Sequence, residues 1–328
     1  MTTRRRLKKF YFKSLSMARV DWLLRRLYAR EGLVLVLNFH RVSPDANPFW
    51  PPMTPEAFET LVAYLASSCR VLTFDELSQP CDTTAPRVVL SFDDGCRDFV
   101  EYAAPILARY RLRVNHNVIV QSVETGRPPW MIRVVDALNA ATPDRVRAVT
   151  VPGFPGRLDN DDEISKTRYG TALTAHLKAL RPADRVSVSR DIEALLAETD
   201  PDRLTQMMSR ADVEAMAAIH ELGAHSYNHE TLSRLTDTEF SEDLDRCAAF
   251  FAQLGHPMKV FAFPYGSFRA GQIQMVRGRG VEHVLLVGER PARIGQGVYT
   301  RITMYGDSTA ELRLRAMGLP LGRLRKRQ

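Results

Sequence analysis

Short runs of β-favouring apolar residues alternate along this chain with stretches in which apolar positions recur every three or four residues. Leu33-Val34-Leu35-Val36-Leu37 is an unbroken apolar run that ends in Asn38-Phe39-His40-Arg41-Val42. A run of this kind reads as a parallel strand buried on both faces, with its polar residues at the C-terminal end. Residues 71–74, 88–92 and 114–120 predict further strands. Between them, Thr54 and Pro55 stand at the cap and first position of a helix whose Phe58, Leu61, Val62 and Leu65 share one face. Residues 98–110 predict a second helix, and the Pro- and Asn-rich segment 44–52 a loop. Strand, helix, strand alternation predicts parallel βα units.

The rhythm breaks over about 127–205, where 130–138, 165–180 and 184–198 have helical character separated by loops at 152–156 and Pro182. This reads as a helical insertion over the mouth of a barrel, where βα loops carry the site. The βα pattern then resumes. A helix at 210–221 is closed by Gly223 in a position that suits a C-cap. Residues 223–226 form a short strand, and a helix follows over 236–254, capped by Thr236 or Asp237. A strand at 260–266 ends in a turn. A helix at 273–279 and strands at 283–287 and 299–302 complete the pattern, the last placed to close the barrel. There is no internal repeat and no low-complexity run.

Residues 7–30 predict one more helix, with Leu7, Phe10, Tyr11, Leu15, Trp22 and Leu23 at helical spacing among basic residues. Its apolar stripe suits docking on the body. Aromatic residues beside a basic face suit an interface with anionic lipid. Charge sharpens this picture. Residues 1–31 hold ten Lys/Arg against Asp21 and Glu31, a net +8, so the remainder of a chain of net +7 sums to −1. Arg323, Arg325, Lys326 and Arg327 form a second basic cluster at 320–328. Basic ends on a near-neutral body are unlike the spread basic face of a nucleic-acid binder, so no nucleic-acid partner is expected.

At 328 residues, 45% apolar and 25% charged, the composition is that of a globular protein with one large α/β domain, here 32–319. Cys69, Cys81, Cys96 and Cys247 have no paired spacing and suit a reducing compartment. No apolar run follows the basic start, so a cleaved signal peptide is not expected. A cytoplasmic location, peripheral at the inner membrane face, is the expectation.

Ser91-Phe92-Asp93-Asp94-Gly95 puts two adjacent carboxylates at a strand end, and His225-Ser226-Tyr227-Asn228-His229 puts two imidazoles four residues apart. Neighbouring carboxylates repel and call for a cation. One carboxylate and two imidazoles make a three-ligand site with a position left for water. The spare carboxylate is then close enough to take a proton from that water. The donor set suits zinc, with cobalt, nickel or iron as alternatives, rather than calcium. In Phe263-Pro264-Tyr265-Gly266 a tight turn can aim a backbone N–H at a developing oxyanion.

With these motifs in order, the chain resembles the polysaccharide deacetylases, the NodB-homology group of carbohydrate esterases. Residues 91–95 fit that family's [ST]-F-D-D-G, residues 225–229 its H-[ST]-x-x-H, and Pro264-Tyr265 the end of its R-x-P-Y. The likeness covers roughly 33–125 and 205–305. It implies a distorted parallel (β/α)7-type barrel. It also implies Asp93 as general base, Asp94, His225 and His229 as metal ligands, and the Tyr265 N–H at the oxyanion, with Pro264 and Arg301 as substrate-binding candidates.

Two departures stand out. Ala262 occupies the place of the family's arginine, which orients the catalytic aspartate, with Arg301 or Arg97 as substitutes. The late L-x-H motif, which supplies the acid histidine, is absent, and His283 lies before the matching place. His40, in Phe39-His40-Arg41-Val42, is similar to the Y-H-x-V element of the exopolysaccharide-modifying branch and becomes the candidate acid, with His116 as competitor. The resemblance implies metal-dependent removal of an N-acyl group from an amino sugar of a polysaccharide or its lipid-linked precursor. A glycan-binding scaffold that keeps the metal without turnover is the alternative.

Overall fold

A computed structural model describes residues 3–45, 47–77, 79, 84–196, 205–306 and 308–319. Its strands are β1 Leu33–Phe39, β2 Arg70–Leu72, β3 Arg87–Phe92, β4 Asn115–Val118, β5 Glu221–Ala224, β6 Val260–Ala262, β7 His283–Val287, β8 Ala292–Arg293 and β9 Val298–Thr303. Seven of them pair in parallel in the order β1-β3-β4-β5-β6-β7-β9 and return to β1, closing a barrel. β2 adds to the start of β3, and β8 runs antiparallel against the start of β1. The architecture is the distorted (β/α)7 barrel that the resemblance implies, built from the parallel βα units that the alternation predicts.

Period-two alternation sorts the strand side chains into two cores. Leu35, Leu37, Phe39, Leu90 and Phe92 pack with Phe58, Leu61 and Phe99 of the surrounding helices. Val34, Val36, Val89, Leu285 and Tyr299 face the axis. Phe74, in a short helix Phe74–Leu77, closes the base with its ring 5.2 Å from both His283 and Tyr299. The Phe74 and Asp75 N–H groups donate to the Glu221 carboxylate at 3.1 and 2.8 Å. Two residues further along the axial rows stand Asn38, Ser91, Asn117 and Arg301, all buried. The interior is therefore apolar at the N-terminal end of the strands and polar at the other.

Several boundaries differ from expectation for identifiable reasons. The helix expected over 7–30 is two helices, Thr3–Met17 and Val20–Arg30, broken at Arg19 with φ +53°. Phe12 docks the first on Leu314 of the helix Thr309–Ala316. The segment 98–110 opens as a π-helical turn, Phe99–Ala103, before Ala104–Arg109. Pro105 lacks the N–H that would close an ordinary helical bond to Glu101, and the chain widens there.

Gly223 does not cap a helix. The helix Arg210–Ala217 ends earlier, and Gly223 lies inside β5 opposite Asn117. A Cβ at that position would stand 2.2 Å from Asn117 Oδ1, so the glycine permits the close approach of two strands.

The insertion holds helices Trp130–Ala140, Pro143–Ala148, Glu163–Ala179 and Pro182–Leu196 around a core that includes Val134, Leu138, Leu173, Leu177 and Ile192. Gly170 lets the Phe49 ring of the loop after β1 sit against the helix. Asp136 ties the returning chain by accepting from the Thr205 N–H and hydroxyl at 2.9 and 3.0 Å. Cys69, Cys96 and Cys247 are free thiols. Cys81 and the basic segment 320–328 lie outside the described residues.

Candidate metal centre

β3 ends in a turn at which Asp94 and Gly95 have φ of +76° and +79°. Backbone bonds pin it: Asp93 N–H to Phe39 O at 3.0 Å, Met208 N–H to Gly95 O at 2.9 Å, and Arg97 N–H to Gln206 O at 2.9 Å. The second turn follows β5. His225 N–H donates to Val118 O at 2.9 Å, and Ser226 Oγ accepts the His229 N–H at 2.9 Å. Both oxygens of Asp243 accept the Tyr227 N–H at 3.0 Å. Ser226, His229 and Tyr265 are also left-handed, with φ of +63°, +59° and +57°. Each such non-glycine residue costs on the order of 1 kcal/mol or more, and persists only where its surroundings over-determine it. The strain is concentrated in the three motifs.

These turns bring Asp94, His225 and His229 together, with one ligand atom from each within 4.8 Å of the others. Asp94 Oδ1 is 3.5 Å from His225 Nε2 and 3.4 Å from His229 Nε2. The far nitrogens orient the rings. His225 Nδ1 donates to the Ala262 carbonyl at 2.8 Å, which leaves its Nε2 lone pair toward Asp94. His229 Nδ1 bonds the Tyr265 hydroxyl at 3.0 Å. Asp94 Oδ1 is buried and has no hydrogen-bond partner among the described residues. Burial, then the charge of Asp93, pushes Asp94 up to about 8. Burial lowers both imidazoles and keeps them neutral. A buried acceptor oxygen facing two imidazole nitrogens fits a divalent cation. The nitrogen and oxygen donors suit zinc or a similar first-row ion.

Asp93 is held separately. Arg301 Nη1 donates to Asp93 Oδ1 at 2.6 Å and also to Asn38 Oδ1 and Ser91 Oγ at 3.1 and 3.2 Å. Asn117 Nδ2 donates to the same Asp93 oxygen at 2.8 Å. Oδ2 points the other way, 3.8 Å from His225 Nε2. Burial alone would raise this carboxyl. Arg301, then His225, and then the Arg301 hydrogen bond outweigh it and hold Asp93 ionised well below the usual carboxylate range.

Arg301, on β9, is 1% exposed and lies beneath Asp93, so it is placed to position that carboxylate rather than to line the open mouth where it was expected to bind substrate. Arg97 pairs on the surface with Glu101 at 3.0 Å. Pro264 is buried and opens the tight turn Pro264–Gly266 that presents Tyr265. His40, at the end of β1, lies within the field of Asp93, Arg301 and His225, its ring 6.0 Å from Trp50. Burial pushes it down to about 4, against the opposing charge of Asp93. His116 faces the helices, 4.2 Å from the Phe99 ring, and His283 stacks at the barrel base, so neither joins the site.

Sequence reasoning missed Asn38, Asn117 and Lys178. The two asparagines were visible only as polar residues at strand ends. Lys178 comes from the insertion, and its Nζ lies 4.1 Å from the centre of the Tyr265 ring.

Fold and site define a class: a seven-stranded parallel barrel whose C-terminal mouth carries an Asp-Asp turn facing an H-x-x-x-H turn. Residues 195–284 match the family model described as polysaccharide deacetylase. Over that segment, which holds the H-x-x-x-H turn, the chain is similar to the polysaccharide deacetylases. A curated relative, the uncharacterized protein YlxY of Bacillus subtilis (strain 168), is 46% identical over 57 residues, 17% of this chain and 18% of its own length.

Among solved structures, IcaB from Ammonifex degensii superposes with a TM-score of 0.56 at 17% identity, covering 87% of this chain and 97% of that one. The Streptococcus pyogenes deacetylase PplD, in complex with acetate, gives 0.55 at 17%, covering 87% and 98%. A de-N-acetylase from Aggregatibacter actinomycetemcomitans gives 0.53 at 16%, covering 86% and 100%. At these identities the likeness is one of fold.

Proposed function

We propose that this chain is a metal-dependent carbohydrate N-deacetylase. One observation carries the reading: Asp94, His225 and His229 converge on a point beside which Asp93 is held ionised by Arg301 and Asn117. The family match and the deacetylases among its structural relatives support it. Asp94, His225 and His229 hold the cation, for which zinc is the proposal. When bound, it supplies Lewis-acid polarisation of the acyl carbonyl and of a water.

The remaining steps belong to the chain. Asp93 Oδ2 accepts the water proton as oxygen attacks the acyl carbon. Its other oxygen stays committed to Arg301 and Asn117, so the free lone pairs aim at the reaction. The Tyr265 N–H, in its left-handed turn, is assigned to the oxyanion. The amine leaves only when protonated. Asp93 is assigned that proton, returning the one it took from the water, because His40 is pushed down to about 4 and is neutral at pH 7; His40 as the donor is the second reading.

Asp93→Asn keeps the ligand set and removes the base, so acetate release from an N-acetylated glycan should fall by roughly 1000-fold with metal content unchanged. Turnover at the parent rate would exclude Asp93 as the base. Arg301 weakens the case for a non-catalytic scaffold, because it orients Asp93 from another strand and removes the argument from the missing family arginine.

The substrate is proposed as an amino-sugar glycan or its lipid-linked precursor, met at the inner face of a membrane. Support comes from the N-terminal helices. Leu7, Phe10 and Met17 are 66%, 70% and 75% exposed on one, and Leu23 and Leu27 are exposed on the other. Lys13, Arg19, Arg26 and Arg30 stand exposed among them. Among the described residues no helix is long and apolar enough to cross a membrane. Such a face suits lying on an anionic surface.

A further inference from the structure

The insertion places two cations on the His229–Tyr265 flank of the metal centre. Arg185 is buried, stacks 4.2 Å from the centre of the Trp130 ring, and is paired with Glu230, the neighbour of His229. Its charge is therefore matched. Lys178 differs. Its ammonium rests on the face of Tyr265, whose hydroxyl holds His229, and among the described residues it has no hydrogen-bond or ion-pair partner. Burial lowers Lys178 to about 8 while Asp94 opposes that shift, so the side chain is still charged at neutral pH.

The charges around the centre explain why this matters. Asp93 is matched by Arg301, and Asp94 faces the cation position. Lys178 adds an unmatched positive charge with three unspent donors. A partly desolvated ammonium is costly until an anion meets it, and an aromatic face offsets only part of that cost. A neutral acetamido sugar leaves the charge unmet. A phosphate or carboxylate on the substrate satisfies it with charge-assisted hydrogen bonds.

We propose that Lys178 forms an anion-binding subsite beside the metal centre, so that the preferred substrate is an N-acyl amino sugar bearing a phosphate or carboxylate close to the reacting amide. This rests on the deacetylase reading and narrows its substrate class. A sugar joined through phosphate to a lipid or nucleotide has this character, as does a sugar acid. The insertion is then the specificity element of the barrel, since the residue that meets the anion comes from its helix Glu163–Ala179.

The test compares three probes: N-acetylglucosamine 1-phosphate, the methyl glycoside of N-acetylglucosamine, and the methyl glycoside of N-acetylglucosaminuronic acid. Acetate release is measured with the full-length, metal-loaded protein and with Lys178→Met and Lys178→Arg. The expected result is a preference of about tenfold or more in kcat/KM for an anionic probe over the neutral glycoside. That ratio should collapse in Lys178→Met through KM and return in Lys178→Arg. The phosphate and carboxylate arms show which anion the subsite takes. Calorimetric binding of the same probes to the parent and Lys178→Met gives a readout independent of turnover. Were no probe hydrolysed, the deacetylase reading would fail, while a Lys178-dependent affinity for the anionic probes would still establish the subsite. Equal losses on charged and neutral probes, or equal affinities for both in the parent, would overturn it.

Discussion

Asp93 shows how a single residue's environment decides its chemistry. Two aspartates stand side by side at the end of β3, yet their carboxyls are driven apart. Arg301, with His225, holds Asp93 down, while burial and the neighbouring Asp93 charge push Asp94 to about 8. Replacing Arg301 with Met removes the largest opposing charge, so the Asp93 carboxyl should rise. The proposed base is then protonated over a wider acidic range. The acidic limb of the pH–rate profile should move up, with the loss greatest at low pH and partly recovered at high pH. Leaving Asp93, Asn38 and Ser91 without this partner should also lower stability by about 3 kcal/mol or more, read from urea unfolding. An acidic limb that stays in place would assign Arg301 a packing role alone.

At the scale of elements, β4 and β5 must approach closely for the site to exist. Gly223 has no side chain because Asn117 Oδ1 and Val260 occupy its space. Asn117 is also the residue whose amide donates to Asp93. Gly223→Ala should therefore cost about 1–3 kcal/mol in unfolding free energy and turnover as well, by moving Asn117 off the base. An unchanged urea midpoint together with unchanged acetate release would show that the strands have slack there. The sequence pattern places a polar segment at each strand end but does not reveal which polar groups meet. Arg301 and Asp93 are more than half the chain apart, and Arg301 and Arg97 are equivalent on paper. Barrel closure by β9 against β1 puts Arg301 within reach, while Arg97 begins a surface turn.

Across the whole molecule, the candidate site and the proposed membrane face separate. The candidate site lies at the mouth of the barrel, and the N-terminal helices, docked through Phe12 and Leu314, carry exposed apolar and basic residues. Among the described residues, seven of the eleven exposed large apolar side chains fall within the first 27 positions, a concentration that a purely solvated surface does not need. The intact chain should float with vesicles of phosphatidylglycerol and phosphatidylcholine, and bind weakly to phosphatidylcholine alone. The double substitution Phe10→Ser, Leu27→Ser should release it without shifting thermal unfolding, because both side chains point away from the body. Equal recovery of both proteins from anionic vesicles would remove the membrane proposal.

The sequence alone determined the alternation of strands and helices, and with it the parallel βα units, because apolar runs and amphipathic stripes are local properties. It also marked the carboxylate pair and the two imidazoles as one candidate site, since carboxylates at a strand end and imidazoles four residues apart are short-range patterns. Only the tertiary structure decided which arginine orients Asp93, that His116 and His283 lie outside the site, that Gly223 serves a strand contact, and that Lys178 of the insertion lies on Tyr265. Each of those depends on distant segments meeting across a closed sheet, and no local periodicity encodes such a meeting.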